Sequence, residues 1–126
     1  MHPRCRVLIV EDEAAISMLI EDMVHDYGTE IVGPASSLEK AMALVRSEHI
    51  DAAILDVNVR GMMVFDLADA IRRAGIPIIF DTGYRSHVIP DRFKDAPVLE
   101  KPFTFEALRE ALNQALAGSA CDTGSH

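Results

Sequence analysis

Short apolar segments alternate along the chain with longer segments in which apolar residues recur every three or four positions. The short segments are rich in Val, Ile and Leu and are too short for helices, so they predict buried strands. Three of them are apolar throughout, at residues 7–10, 52–55 and 78–80, and two carry polar residues, at 29–34 and 97–100. The chain therefore contains five candidate strands.

The segments between these strands predict amphipathic helices. Their apolar residues are spaced like one face of a helix within residues 16–27, 38–45, 64–71 and 105–116. Gly28, Gly75 and Gly118 stand where three of these helices would end. The periodicity fails between residues 83 and 97, where Pro90 opposes a long helix. We therefore expect a fourth helix that is short or irregular, mobile and supported by few core anchors.

A strand–helix alternation repeated five times indicates an α/β fold with a parallel sheet and helices on both of its faces. The three strands that are apolar throughout suit the centre of the sheet, and the two more polar strands suit its edges. This arrangement predicts a flavodoxin-like (βα)5 fold with the strand order 2-1-3-4-5. We assign residues 1–117 to this domain and expect residues 118–126 to form a flexible C-terminal tail.

Composition narrows the possible functions. A chain of 126 residues is the length of one domain. Its longest apolar runs are far shorter than the roughly 20 residues that cross a membrane, and its first residues include no long apolar segment followed by a small-residue cleavage site. We therefore expect a cytoplasmic protein without membrane insertion. The net charge of −8 opposes direct binding of nucleic acid.

The two cysteines give no sign of a special role. Cys5 and Cys121 stand at opposite ends of the chain and match no metal-binding or redox spacing. Two cysteines in a chain of this length are also not a disulfide framework. We therefore expect one ordinary strand cysteine and one tail cysteine.

Residues that can carry chemistry follow four of the five predicted strands. Glu11 and Asp12 follow the first strand, Asp56 the third, Thr82 the fourth and Lys101 the fifth. Each residue taken singly has an ordinary explanation as a turn former, a helix-start charge or a solvated side chain. Together they would meet at the carboxyl edge of the sheet, where such folds bind ligands. Clustered carboxylates suit Mg²⁺, and a lysine with a hydroxyl suits a phosphoryl group.

With these residues in this order, the chain resembles the receiver domain of bacterial two-component response regulators. The resemblance spans about residues 5–117 and rests on residues 7–12, 55–56, 82–83 and 101–103. The segment 80–84 further resembles the Phe-Ala-Thr-Gly-Tyr motif of a stand-alone subgroup of receivers, which tend to have an altered fourth helix.

The resemblance implies a role for each matching residue. By this analogy Asp56 is the phosphoacceptor and Lys101 contacts the phosphoryl group. The implied metal-site and switch residues are Glu11, Asp12, Asp56 and the backbone carbonyl of Asn58 for Mg²⁺, and Thr82, Gly83 and Tyr84 for the switch loop. The Lys101–Pro102 peptide bond matches one that is often cis in receivers.

The implied function is that of a receiver that is not an enzyme in the ordinary sense, although it catalyses its own phosphorylation and dephosphorylation. A sensor histidine kinase or a histidine phosphotransfer protein would donate the phosphoryl group. The phosphorylated domain would then change its contacts with a downstream protein target, or pass the phosphate on. The sequence identifies neither partner.

Several residues depart from the family pattern. Glu11 stands where Asp is commoner, which lengthens the reach to a metal by one methylene. Arg60 stands where many receivers have Pro, and Val98 replaces the usual switch aromatic, whose role Tyr84 would partly assume. Asp81 replaces the alanine of the subgroup motif. Strand alternation predicts that Asp81 points away from Thr82, and its proximity to the metal stays open.

Other functions remain possible on sequence grounds. An aspartyl-phosphate-forming phosphatase on a related fold would place its nucleophile after the first strand, in an Asp-x-Asp motif. A flavin carrier would need a phosphate loop rich in Ser, Thr and Gly at that place, where this chain has acids. A degenerate receiver would never take up phosphate, and the presence of residues at all four core positions of the family pattern weighs against it. The chain could also be a receiver fragment of a larger regulator or hybrid kinase.

Overall fold

Five parallel strands form the central sheet of the computed structural model, which describes residues 4–83 and 88–121. The strands are β1 (Arg6–Val10), β2 (Glu30–Ala35), β3 (Ala52–Asp56), β6 (Ile78–Thr82) and β7 (Val98–Glu100), and β4 (Asn58–Val59) and β5 (Met62–Met63) form a separate hairpin. The helices are α1 (Ala14–Tyr27), α2 (Leu38–Ser47), α3 (Phe65–Arg73) and α4 (Phe105–Ala115). The sheet order β2-β1-β3-β6-β7 confirms the predicted order, with β6 and β7 as the fourth and fifth strands.

The two faces of the sheet bury alternate residues of each strand. Val7, Ile9, Ile54 and Ile79 belong to a core shared with α1 and α4. Their strand neighbours, such as Leu55, belong to the core shared with α2 and α3. Helices therefore cover both faces, as predicted. The same alternation determines on which side of the sheet the side chain of each residue at a strand end lies.

Local sequence signals fix the helix ends. Gly28 ends α1 with φ 105°, a left-handed conformation that glycine adopts without steric penalty. The Ser37 side chain accepts a hydrogen bond from the Lys40 backbone N–H at the start of α2. Thr104 caps α4 in the same way, by accepting from the Ala107 N–H. These caps satisfy backbone donors that lack partners inside the helix.

Among the described residues of the predicted fourth helix, Asp91–Phe93 form a turn of 3₁₀ helix in place of a regular α-helix, which confirms the expected irregularity. The expectation of few core anchors is wrong for Phe93, which is 1% exposed. Its ring lies 5.3 Å from that of Phe80 and 6.1 Å from that of Phe65, measured between centroids. The Arg72 and Arg92 guanidinium groups each lie 4.8 Å from its centre. Phe93 thus anchors a segment that lacks helical periodicity, and Ile89 and Ala96 also pack against this core.

The expectation for the cysteines is also wrong, because Cys5 and Cys121 form a disulfide. The reason is topological. β1 begins at the amino edge of the sheet, and α4 runs back towards that edge, so that the two chain ends meet there with Cα atoms 4.8 Å apart. Sequence spacing gave no sign of this meeting. Within the described residues, no helix is long and apolar enough to cross a membrane.

Candidate functional site

Three carboxylates lie in one row across the carboxyl edge of the sheet. Asp56 and Asp81 are register partners on the neighbouring strands β3 and β6. Glu11 follows Val10, which pairs with the residue before Asp56. All three continue the alternation of Ile9, Ile54 and Ile79 and therefore lie on the side of the sheet that α1 and α4 cover. Neighbouring strands are about 4.8 Å apart, so the row places like charges close together.

Lys101 reaches across this row from the loop that follows β7. Its Nζ donates to Glu11 Oε1 at 3.1 Å and lies 3.2 Å from Asp81 Oδ1 and 3.6 Å from Asp56 Oδ2. The three carboxylate side chains are at most 8% exposed, and the lysine side chain is 17% exposed. One ammonium group therefore faces three buried acids.

Asp12 completes a second cluster with two of these acids. Oxygens of Glu11, Asp12 and Asp56 all lie within 4.8 Å of one another. Hard carboxylate oxygens at such separations fit a hard divalent cation such as Mg²⁺. The cluster opens into a cleft of about 560 Å³ lined by Asp12, Glu13, Asp56, Asn58, Gly61, Gly83 and Lys101. A small anionic substrate can thus approach the acids and the lysine from solvent.

Burial and mutual repulsion raise the pKa values of the three buried acids. Burial, together with the hydrogen bond and charge of Asp56, raises the pKa of Glu11 to about 7. Burial raises the pKa of Asp56, and burial with the charge of Glu11 raises the pKa of Asp81 to about 6 even though Lys101 opposes it. Burial alone lowers the pKa of Lys101, but the surrounding carboxylates raise it above its usual range. The site thus carries surplus negative charge that a cation would relieve.

Comparison with known proteins identifies the family. Residues 7–113 match the family described as the response regulator receiver domain. The chain belongs to this family.

Relatives of this receiver include proteins from several bacteria. The chain is 34% identical over 116 residues to the transcriptional regulatory protein PdtaR of Mycobacterium tuberculosis, covering 89% of this chain and 57% of PdtaR. The receiver thus spans little more than half the length of that relative. The solution structure of SdrG from Sphingomonas melonis Fr1 matches with a TM-score of 0.81 and 40% identity, covering 92% of this chain and 99% of SdrG. The PhyR receiver domain of Erythrobacter litoralis matches with a TM-score of 0.83 and 30% identity, covering 98% of both chains.

The receiver brings most of the predicted site residues together. Asn58 and Gly83 line the same cleft as Asp12, Asp56 and Lys101. Thr82 ends β6, is 1% exposed, and accepts the Lys101 backbone N–H at its carbonyl oxygen over 2.8 Å. The Lys101–Pro102 bond is cis, as the resemblance implied. Tyr84 lies outside the described residues.

Arg60 supplies a contact that the sequence did not predict. Its backbone N–H donates to Asp12 Oδ2 at 2.8 Å, and its Nε donates to the Ser36 carbonyl oxygen at 3.0 Å. Its φ of 53° is uncommon for a residue with a side chain. Proline, which many receivers have at this position, has no N–H to donate and cannot adopt this φ. The departure therefore creates a backbone hydrogen bond to an acid of the cluster.

The structure shows whether Asp81 lies near the metal-binding acids, which the sequence left open. It follows the opposite alternation to Thr82, as predicted, yet it lies beside the acidic cluster because Glu11 and Asp56 share its side of the sheet. Its side chain is fully buried against Lys101. Applying the same alternation to all three strands would have placed Asp81 in the row from the sequence alone.

Proposed function

We propose that this receiver accepts a phosphoryl group on Asp56 in a Mg²⁺-dependent reaction and thereby switches its contacts with other proteins or relays the phosphate. The observation that carries the proposal is the position of the Asp56 carboxylate. It lies 3.6 Å from the Lys101 ammonium group and within 4.8 Å of oxygens of Glu11 and Asp12, at an open cleft. This arrangement supplies a nucleophile, a cation and a metal-binding cluster within one site.

In the proposed reaction, an Asp56 oxygen attacks the phosphorus of a phosphohistidine on a partner protein. The new O–P bond forms as the P–N bond breaks, and the imidazole nitrogen leaves with the electron pair and then takes a proton. Lys101 stabilises the negative charge on a phosphoryl oxygen as it develops. The Asn58 N–H, which donates to Asp56 Oδ1 at 3.2 Å, orients the carboxylate.

Glu11, Asp12 and Asp56, with the backbone carbonyl of Asn58, would hold Mg²⁺. A cation held there would offset the negative charge that the acceptor carboxylate and the phosphoryl group carry in the reaction. The Arg60 N–H keeps Asp12 turned towards the cluster. In this proposal the domain is not an enzyme that turns over an external substrate, because its phosphoryl acceptor is its own side chain.

The direct test is incubation with a small phosphodonor, such as acetyl phosphate, and Mg²⁺. We expect one hydroxylamine-sensitive phosphoryl group per chain by intact mass, and none in Asp56→Asn, because an amide is not a competent nucleophile here. Asp22→Asn, an exposed change on α1, is the matched control and should behave like the wild type. A label mapped to Asp12 or Asp81 would refute the assignment.

The same experiment distinguishes the alternative functions. A phosphatase on a related fold would consume the phosphodonor continuously, whereas a receiver retains a stoichiometric label. A degenerate receiver would take up no label in the wild type. The placement of Asp56 on the third strand rather than directly after the first favours the receiver.

Thr82 belongs to the response rather than to the uptake of phosphate in this proposal. Its hydroxyl is not the nucleophile, so Thr82→Ala should still accept the phosphoryl group. It should lose most of the conformational change, because no hydroxyl follows the phosphoryl oxygen. Amide chemical-shift changes on phosphorylation would measure this, and a wild-type response in Thr82→Ala would contradict it.

We further propose that the phosphoryl donor is a sensor histidine kinase or a histidine phosphotransfer protein in the cytoplasm. The family membership supports this class of donor. The output of the domain is then a contact with a downstream protein, and the net charge of −8 opposes a direct role at nucleic acid. Pull-downs that compare phosphorylated wild type with Asp56→Asn would identify both partners.

A further inference from the structure

We propose that Asp81 competes with the phosphoryl group on Asp56 for Lys101 and so limits how readily this receiver becomes phosphorylated. The inference rests on the proposed role of Asp56 as the phosphoacceptor. In this inference Asp81 opposes phosphorylation of Asp56, although Asp81 is neither the nucleophile nor a member of the metal-binding cluster.

The first support is the isolation of Asp81. Its side chain is fully buried and forms an ion pair with Lys101 at 3.2 Å. Apart from that ion pair, neither carboxylate oxygen has a hydrogen-bond partner in the part of the chain that the structure describes. A buried carboxylate in that position depends on a single cation. Any process that draws Lys101 away leaves Asp81 uncompensated.

The second support is the division of the acids between two cations. Glu11, Asp12 and Asp56 offer oxygens to a common metal position, and Asp81 is not among them. A metal bound there would relieve the first three acids and leave Asp81 dependent on Lys101. The same lysine is the group that would neutralise a phosphoryl oxygen.

The third support is the change in charge on phosphorylation. The acyl phosphate on Asp56 replaces a carboxylate of charge −1 with a group of charge near −2. Asp81 is the register partner of Asp56, and both contact the same ammonium group, so the carboxylates lie within about 7 Å of each other. Asp81 therefore repels the product and also attracts the cation that the product requires.

The test measures affinity for beryllofluoride, a non-covalent mimic of the phosphoryl group, by NMR titration of wild type, Asp81→Asn and Asp81→Ala in saturating Mg²⁺ at pH 8. We expect both variants to bind beryllofluoride about tenfold more tightly, as expected for removing one charge within about 7 Å beside solvent. The rate of phosphorylation by acetyl phosphate should rise in parallel. Asp69→Asn, which breaks an exposed ion pair with Arg92, is the control and should leave both quantities unchanged.

Affinity for Mg²⁺ alone separates this role from a structural one. Removing a negative charge near the cluster should weaken Mg²⁺ binding slightly while it strengthens beryllofluoride binding. A disturbed fold would weaken both. Unchanged or weaker beryllofluoride binding in both variants would overturn the inference and leave the function of Asp56 intact if the wild type is phosphorylated. Failure of the wild type and both variants to bind beryllofluoride would reject the proposed function as well.

Discussion

The buried acids should make the stability of the metal-free domain depend on pH in an unusual direction. Lowering the pH of the metal-free domain from 8 to 5 should increase its free energy of unfolding. The pKa values of Glu11 and Asp81 are raised to about 7 and about 6, from 4.5 and 3.8. The folded state therefore binds these protons more tightly than the unfolded state. The resulting stabilisation is complete below the unfolded-state values and is lost as the pH rises through 6 and 7.

The magnitude follows from the width of that window. Each pKa unit corresponds to about 1.4 kcal/mol. Integrated from pH 8 to pH 5, Glu11 contributes at most about 2.5 kcal/mol and Asp81 at most about 1.4 kcal/mol. Protonation of one acid relieves its neighbours, so we expect a combined gain of about 2–3 kcal/mol.

Urea unfolding followed by far-UV circular dichroism is the appropriate assay, because the chain has no tryptophan. The double variant Glu11→Gln/Asp81→Asn should lose the rise in stability on acidification. Saturating Mg²⁺ should also suppress the rise, since the cation favours the ionised acids. If metal-free wild type shows the same dependence on pH as the double variant, the acids are not held in the unfavourable charged state inferred here.

Three further outcomes are expected from the structure. Mg²⁺ at ten times its Kd should raise the melting temperature by about 3–6 °C, and Asp12→Ala should melt higher than wild type in a chelator and gain less from Mg²⁺. Phe93→Ala should lower the free energy of unfolding by about 3–5 kcal/mol, whereas Phe93→Leu should cost less than half as much in the same urea assay. Cys121→Ser should lower the free energy of unfolding by about 4 kcal/mol under oxidising conditions, because the disulfide is lost. In excess dithiothreitol the variant and the wild type should be equally stable. Equal stability of the two proteins without reductant would contradict a disulfide.

The sequence predicted the sheet order and the main acids because both depend on local patterns. Apolar runs without polar interruption distinguish the central strands from the edge strands, and parallel strands bring their carboxyl ends to one edge. The β4–β5 hairpin was not predicted, because its four strand residues are too few to form a pattern. The hydrogen bond from Arg60 to Asp12 was also missed, since it depends on one backbone torsion angle.

Long-range packing explains the other differences. Phe93 follows no helical pattern, and its burial results from Phe65, Phe80 and two arginine side chains that the fold brings around it. The Cys5–Cys121 pair likewise results from the direction in which α4 runs. Such contacts depend on how whole helices and strands are arranged in space. Residue spacing within a short stretch of sequence cannot predict them.

The meeting of residues 5 and 121 makes the backbone almost a closed ring. A circularly permuted chain, with a short linker joining these two positions and new termini opened at the turn around Gly75, would keep every strand in its place. Segments attached before residue 5 or after residue 121 would also leave the domain from one common pole. That pole lies a full strand length, about 17 Å, from Asp56, so a change at Asp56 would have to be transmitted along the sheet or its helices to reach segments attached there.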